Sequence, residues 1–341
     1  VNLIPWLAAS RHGAEHRQPT MTLPLLRWFA LAAPLVPLAL PAQVTFHHDD
    51  GKALVAAAPA IERVATGRQF LEGPVWLPSE RQLVCSDIPA KQWLRFDPAA
   101  PREQALSVWQ ASAGANGNTL DRQGRLLSCQ HEARDLVRHE VDGTRTVLVD
   151  RHDGKRLNSP NDLAVRYDDS IWFTDPTYGL GKRDREQPGN FVYRLEPSTG
   201  ATTVVQRDFE QPNGLCFAPD HQRLYLADSG SKQRVGAFPV TAAGTLGEPS
   251  FWLQGGSDGM RCDAAGNLWT TARDGVRCYS AAGVQLLTIE LPEQPANLAF
   301  GGSDGSTLFV TARTSLYAVP VQVTGAPWPP RRDPQPEAAG K

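Results

Sequence analysis

No pair of cysteines in this chain has the C-x-x-C spacing, so zinc-ribbon and thioredoxin-type redox readings fail. The cysteines are only five, Cys85, Cys129, Cys216, Cys262 and Cys278; an odd number leaves at least one without an intrachain partner. Most fall in short apolar runs, where cysteine serves as a small buried hydrophobe. There is no basic block, and the net charge is −2, so nothing points to nucleic acid. No long stretch keeps a helical period. G-x-S-x-G occurs twice, as GGSDG at 255–259 and at 301–305, but neither opens a stretch with a helical period and no serine lies near a paired His and Asp, which argues against a serine hydrolase. No glycine-rich loop links a strand to a helix, which argues against a dinucleotide cofactor.

What the chain does have is a repeat. Short apolar runs begin at residues 82, 125, 170, 223, 267 and 307: QLVCSDI, RLLSCQH, SIWFTDP, RLYLADS, NLWTTAR and TLFVTAR. Ten or eleven positions before the apolar start of each stands an oxygen-bearing side chain: Glu72, Asn116, Asn161, Asn213, Asp258 and Asn297. A period of 40 to 53 residues with several short strands per unit predicts a β-propeller. Scattered glycine (29) and proline (28) suit many strands and turns. The expectation is an all-β, six-bladed propeller over residues 55–323, with four-stranded antiparallel blades. In the clearest unit, PNGLCFAP, RLYLADS and RVGAFPV supply three strands, with ATTVVQ upstream as an outer one.

Equivalent positions of a closed ring converge on its axis, and the first strand of each blade lies nearest to it. The six polar residues should therefore meet on one face. Second strands return to the same face, so their ends should form an outer ring of Asp87, His131, Asp175, Asp228, Arg273 and Arg313. Asn116-Gly117, Asn213-Gly214 and Asp258-Gly259 also read as ordinary turn dipeptides. Glu72, in LEGPVW, does not: a carboxylate among apolar neighbours needs a partner. Glu72 and Asp258 would supply two charges, and Asn161 and Asn213 two neutral oxygens, a mix suited to calcium, with zinc, manganese or magnesium as alternatives. Asn116 and Asn297 would complete the ring away from the metal.

These segments resemble the gluconolactonase, regucalcin and luciferin-regenerating-enzyme family, in its bacterial gluconolactonase-like branch. The resemblance covers about residues 60–320 and rests on LEGPVW, LNSPNDLAV, WFTDPTYG, QPNGLCFAPD and SDGMRCDAAGNLW. It implies a six-bladed propeller with one divalent cation on the axis, held by Glu72, Asn213 and Asp258 with Asn161 as a fourth. The animal branch has an arginine two residues before the asparagine matching Asn161; here that position is Ser159.

The function expected is hydrolysis of a sugar-acid lactone. The cation would polarise the carbonyl and activate water. Asp258 would be first to accept a proton, then Asp162. His131 would act as base or substrate contact, and Asn116, Tyr178, Arg273 and Arg313 would touch substrate. Trp172 would shape the pocket or pack in the core. Two readings stay open beside it: an aryl ester or phosphotriester hydrolase on the same metal site, and a non-enzymatic ligand-binding propeller with structural calcium. The partner expected is a small lactone or ester, with no nucleic acid and no protein partner.

Residues 1–20 read as an over-extended start before Met21. Residues 21–42 read as a signal peptide, with Arg27 as the positive region and Trp28 to Leu40 as the apolar core. That run is too short and too broken by proline to span a membrane, so no stable insertion follows cleavage. Residues 324–341, rich in proline, read as a disordered tail. The expected location is periplasmic or secreted. Protein isolated from its native host should begin near Gln43. N-terminal sequencing that finds residues 1–42 retained would refute export with cleavage.

Overall fold

The computed structural model describes residues 40, 41 and 43–330; residues 1–20, read as an over-extended start, nearly all of the segment read as a signal peptide, and residues 331–341 lie outside them. Six antiparallel sheets form a six-bladed propeller. Blade one comprises Leu71–Leu77, Gln82–Asp87, Gln92–Phe96 and Leu106–Ala111. Blade two comprises Ala115–Leu120, Leu126–Gln130, Asp135–His139 and Arg145–Val149. Blade three runs from Leu163–Val165 through Ile171–Asp175 and Phe191–Glu196 to Ala201–Gln206. Blade four runs from Pro212–Phe217 through Arg223–Asp228 and Arg234–Pro239 to Phe251–Gln254. Blade five comprises Met260–Cys262, Leu268–Ala272, Gly275–Tyr279 and Gln285–Ile289.

Blade six closes the ring with strands from both ends of the domain. Pro295–Gly301, Thr307–Ala312 and Ser315–Pro320 are followed outward by Ala60–Ala65, pairing Leu316 with Ala65 and Tyr317 with Arg63. Two N-terminal segments extend the blades beyond the expected 55–323. Val44–Phe46 pairs with Gln285–Ile289 as a fifth strand of blade five. Leu40–Pro41 pairs with Ala60 and Ile61.

The second strand of each blade is buried along nearly its whole length, which explains the unbroken apolar runs in the sequence. Such a strand is covered on both faces by neighbouring blades, so it does not alternate apolar and polar. Leu83, Cys85 and Leu94 of blade one meet Phe309 and Leu316 of blade six. Trp172 is fully buried, edge-on to Phe217 at 5.5 Å, and so belongs to the core between blades three and four rather than to a pocket.

Two expectations about individual segments are corrected. ATTVVQ is the outer strand of blade three, hydrogen-bonded to Phe191–Glu196; blade four takes Phe251–Gln254 instead. Residues 324–330 are not loose. Gly325 bridges Asp263, and the Ala326 amide donates to the Cys262 carbonyl at 3.0 Å. Proline-rich composition marks the absence of a ladder, not the absence of a surface to lie on.

The Asn-Gly and Asp-Gly pairs are not turns. They lie on or next to inner strands, where they allow neighbouring blades to touch. A Cβ on Gly214 would stand 2.0 Å from the Asp258 carbonyl oxygen, and one on Gly117 would stand 2.5 Å from Oδ1 of Asp162. Gly214 and Gly117 do not have a left-handed backbone, so glycine is needed there for space. Gly214→Ala should therefore destabilise the fold by about 3 kcal/mol through overpacking. Gly67, which faces open space, should show only the smaller penalty of its left-handed backbone on the same change. Urea unfolding of both variants measures the difference, and equal losses would remove the close-packing explanation.

Candidate active site

Inner strands enter the axis at the ring residues. Glu72, Asn116, Asn161, Asn213 and Asp258 all line one cavity of about 490 Å³ on the axis. Glu72, Asn116 and Asn213 approach through a local irregularity. The ladder register shifts just after Glu72, and again between Ala115 and Asn118 and between Pro212 and Leu215. Hydroxyls of the second strands pin this distorted backbone. Ser86 donates to the Asn116 carbonyl at 2.7 Å, and the Asp162 amide donates to Thr174 Oγ1 at 3.2 Å. Thr271 Oγ1 accepts from the amides of Asp258 and Gly259, both at 3.1 Å. Thr311 donates to the Asn297 carbonyl at 3.2 Å. The sequence reading missed this set. Its signal is a hydroxyl three residues past the apolar start of four of the six units: Ser86, Thr174, Thr271 and Thr311.

Three carboxylates share this axis. Burial, then repulsion from Asp258 and Asp162, drives the Glu72 carboxyl well above the usual carboxylate range. The Gly73 amide and the Asn297 amide both donate to Glu72 Oε2, the latter at 2.9 Å, and hold its orientation. Burial lifts Asp258 to about 7, reinforced by Asp162 and opposed by Asn213 and Arg313. Asp162 is raised by burial and eased by Arg261, whose guanidinium lies 3.8 Å from its carboxylate.

That last contact corrects the expected role of Asp162. It does not line the cavity; its carboxylate lies beneath, between Asn297 (3.5 Å) and Arg261. The inner strand alternates sides, so the residue after Asn161 points away from the cavity. Asn297 is committed on both ends: its oxygen accepts from the Leu298 amide at 2.8 Å while its nitrogen serves Glu72. It stays off the cavity as expected, yet it is not independent of the site. Arg261 was not foreseen, because one arginine in DGMRCD has no distinguishing sequence feature.

The expected outer ring divides in two. Asp87, Asp175 and Asp228 are buried loop anchors. Asp87 accepts from the amides of Gln69 and Phe70 at 3.1 Å. Asp175 accepts from Asn158 at 2.7 Å, and Asp228 from Gln211 at 3.0 Å. His131, Tyr178 and Arg273 do line the cavity. Arg313 does not; it sits at the rim, donating to Gln294 at 2.9 Å and lying over the Phe70 ring. His131 is buried, not a surface residue. Asn116 donates to its Nε2 at 3.0 Å, which places the ring proton on Nδ1. Burial, then Arg183, pushes its pKa down to about 4, so it is neutral near pH 7. Burial, then Asp258, lifts the Tyr178 phenol to about 12. Ser159 donates to the Pro176 carbonyl at 2.7 Å and accepts from the Gly179 amide at 3.0 Å, a loop brace in place of an arginine.

The donor set fits a hard divalent cation. Asn213 Oδ1 is buried and has no hydrogen-bond partner, although its residue lines the cavity. Two carboxyls with raised proton affinity stand in the same ring. Oxygen from two carboxylates and two amides, with room for water, is a calcium-type set. Among the described residues no group of three or more His, Cys, Asp or Glu gathers as a metal site.

The electrostatics set a test. Without a cation Asp258 keeps a proton up to about pH 7, so a cation that binds its carboxylate must displace that proton. Calcium titrations in two buffers of different ionisation enthalpy should show more proton release at about pH 6 than at about pH 8.5, where Asp258 has already ionised. Affinity should rise with pH across that interval. Heats independent of buffer at the lower pH would separate Asp258 from the cation.

Comparison with known proteins agrees with the six-bladed fold. Residues 70–314 match the family described as SMP-30/Gluconolactonase/LRE-like region. A gluconolactonase of Zymomonas mobilis is 29% identical over 301 residues, spanning 80% of this chain and 84% of that protein. A pentonolactonase of Haloferax volcanii is 31% identical, spanning 73% of this chain and 83% of its own length. The crystal structure of a gluconolactonase from Xanthomonas campestris is 33% identical, with a TM-score of 0.75 over 85% of this chain and 98% of that one. The chain belongs to the SMP-30, gluconolactonase and luciferin-regenerating-enzyme-like family.

Proposed function

We propose that this protein is a lactonase that opens sugar-acid lactones in the axial cavity, using a divalent cation held by Glu72, Asn161, Asn213 and Asp258. The observation that carries the reading is the meeting of these four oxygen donors in one cavity of about 490 Å³, large enough for a single sugar ring. The lactonase names of its relatives agree in substrate class. Calcium is the cation we favour.

When bound, the cation supplies Lewis-acid polarisation of the ester carbonyl. The remaining work falls to side chains. Hydrolysis adds hydroxyl to the carbonyl carbon and a proton to the departing ring oxygen. Asp258 is the acceptor for the water proton, because it is the cavity carboxylate that Asn297 does not engage. His131 is a poor base: Asn116 occupies its Nε2 lone pair, and its proton affinity is low. It serves as a neutral wall that contacts substrate. Tyr178, with its phenol proton firmly held, donates a hydrogen bond, as does Arg273. Export to the periplasm or exterior remains part of the proposal.

Glu72→Gln and Asp258→Asn should each cut cation affinity and lactone turnover by orders of magnitude while the fold survives. Asn297→Ala should weaken binding by about 10-fold, since Glu72 loses its orienting bond. Glu132→Gln, an exposed carboxylate paired with Lys91, is the control. Calorimetry and turnover on aldonolactones, aryl esters and a phosphotriester decide the matter. Normal lactone turnover in folded Glu72→Gln would sink the proposal. Faster hydrolysis of aryl or phosphotriester substrates would move the substrate class.

A further inference from the structure

The inner strands run from the cavity to the opposite mouth of the axis. There a second, smaller space of about 240 Å³ is lined by apolar residues of the six blades, and Trp328 and Pro330 border it. Two of the five cysteines line it. Cys216 closes the run from Asn213 on the inner strand of blade four, and Cys262 ends the inner strand of blade five. Their sulfurs are 3.8 Å apart, and both residues are buried.

Two thiols in contact across separate sheets invite a chemistry beyond packing. A soft metal is one candidate. His221 lines the same space, but among the described residues no third His, Cys, Asp or Glu joins the pair in a metal-holding group. His221 is instead stacked on Phe217 with centroids 5.1 Å apart. The remaining chemistry is oxidation. A disulfide needs sulfurs about 2.05 Å apart, so the pair must close its gap by side-chain rotation.

We propose that Cys216 and Cys262 form an intrachain disulfide that staples blade four to blade five beneath the cavity. Each thiol gives up a proton and the pair gives two electrons to a small-molecule disulfide, which leaves as two thiols. Export into an oxidising compartment supplies such an oxidant. The bond closes a loop whose ends are 46 residues apart in sequence. It lies three residues after Asn213 and four after Asp258, so it clamps the two strands that carry half of the candidate cation ligands. Cys85, Cys129 and Cys278 stay as thiols, buried apart from one another in other strands.

The hydrogen-bonded Cys216 sulfur, then burial, drives the Cys262 thiol well up, so oxidation of folded protein at neutral pH is slow. The full chain is therefore refolded in a mixture of oxidised and reduced glutathione, then unfolded and its free thiols alkylated. The expected result is three alkylated cysteines and one linked peptide pair containing Cys216 and Cys262. The staple should raise the melting temperature by roughly 5 °C or more over the reduced protein. Cys216→Ala and Cys262→Ala should each lose that rise. Five alkylated cysteines, a different pair, or glutathione carried singly on Cys216 and Cys262 would overturn the proposal. None of these readouts requires lactone turnover or a bound cation, so this result and the lactonase reading stand or fall separately.

Discussion

Inner strands of adjacent blades touch at the axis with no room for a β-carbon, and the site depends on that contact. Gly73 and Gly117 abut the backbone of the following ring positions, Asn116 and Asn161; Gly214 abuts Asp258, and Gly259 abuts the Asn297 side chain. Contact this close brings polar side chains from six distant parts of the sequence into one cavity and the layer beneath it. It also forces Glu72, Asp162 and Asp258 into a region poor in water. Charge there is costly: burial raises the proton affinity of all three carboxyls, the Gly73 and Asn297 amides serve Glu72, and Asp162 leans on Arg261.

Around this contact the polar groups divide their work by depth. Second-strand hydroxyls one position from the strand end hold the irregular backbone. Aspartates at the end of the same strands tie down the loops entering blades one, three and four. Only where the blade carries His131 or Arg273 instead does the equivalent position reach the cavity. The cavity wall is therefore asymmetric although the scaffold is six-fold. Preorganisation follows at two of the candidate ligands: Glu72 is oriented by the Gly73 and Asn297 amides, and Asn213 donates to Ser229, before any cation arrives.

The two mouths of the axis differ in chemistry. The upper one gathers oxygen and titratable groups. The lower one is mostly apolar, with His221 and Arg261 among its lining, is bordered by Gly325 to Trp328 and Pro330, and holds the cysteine pair. The same strands pass through both, so the packing of the lower mouth sets the spacing of Asn213 and Asp258 above. A binding site at the end of short strands needs such support, because six-residue strands have little stiffness of their own.

The sequence alone determined the blade number, the identity of the ring and the oxygen character of the site. It could do so because a repeat turns one local pattern into six measurements of the same geometry, and because buried second strands leave unbroken apolar runs. It misread what a single repeat unit cannot express. Asn-Gly and Asp-Gly have the same composition in a turn and at a crowded axis, so only packing shows that Gly214 is there for space. An aspartate at a strand end reads the same whether it faces substrate or caps a loop. The sides of Asn161 and Asp162 were decided by strand alternation about an axis whose position the sequence does not carry. Arg261 beneath Asp162, Asn297 beside Glu72 and Cys216 against Cys262 are contacts between different blades. Only closure of the ring decided them, because closure is what puts one blade's inner strand against the next.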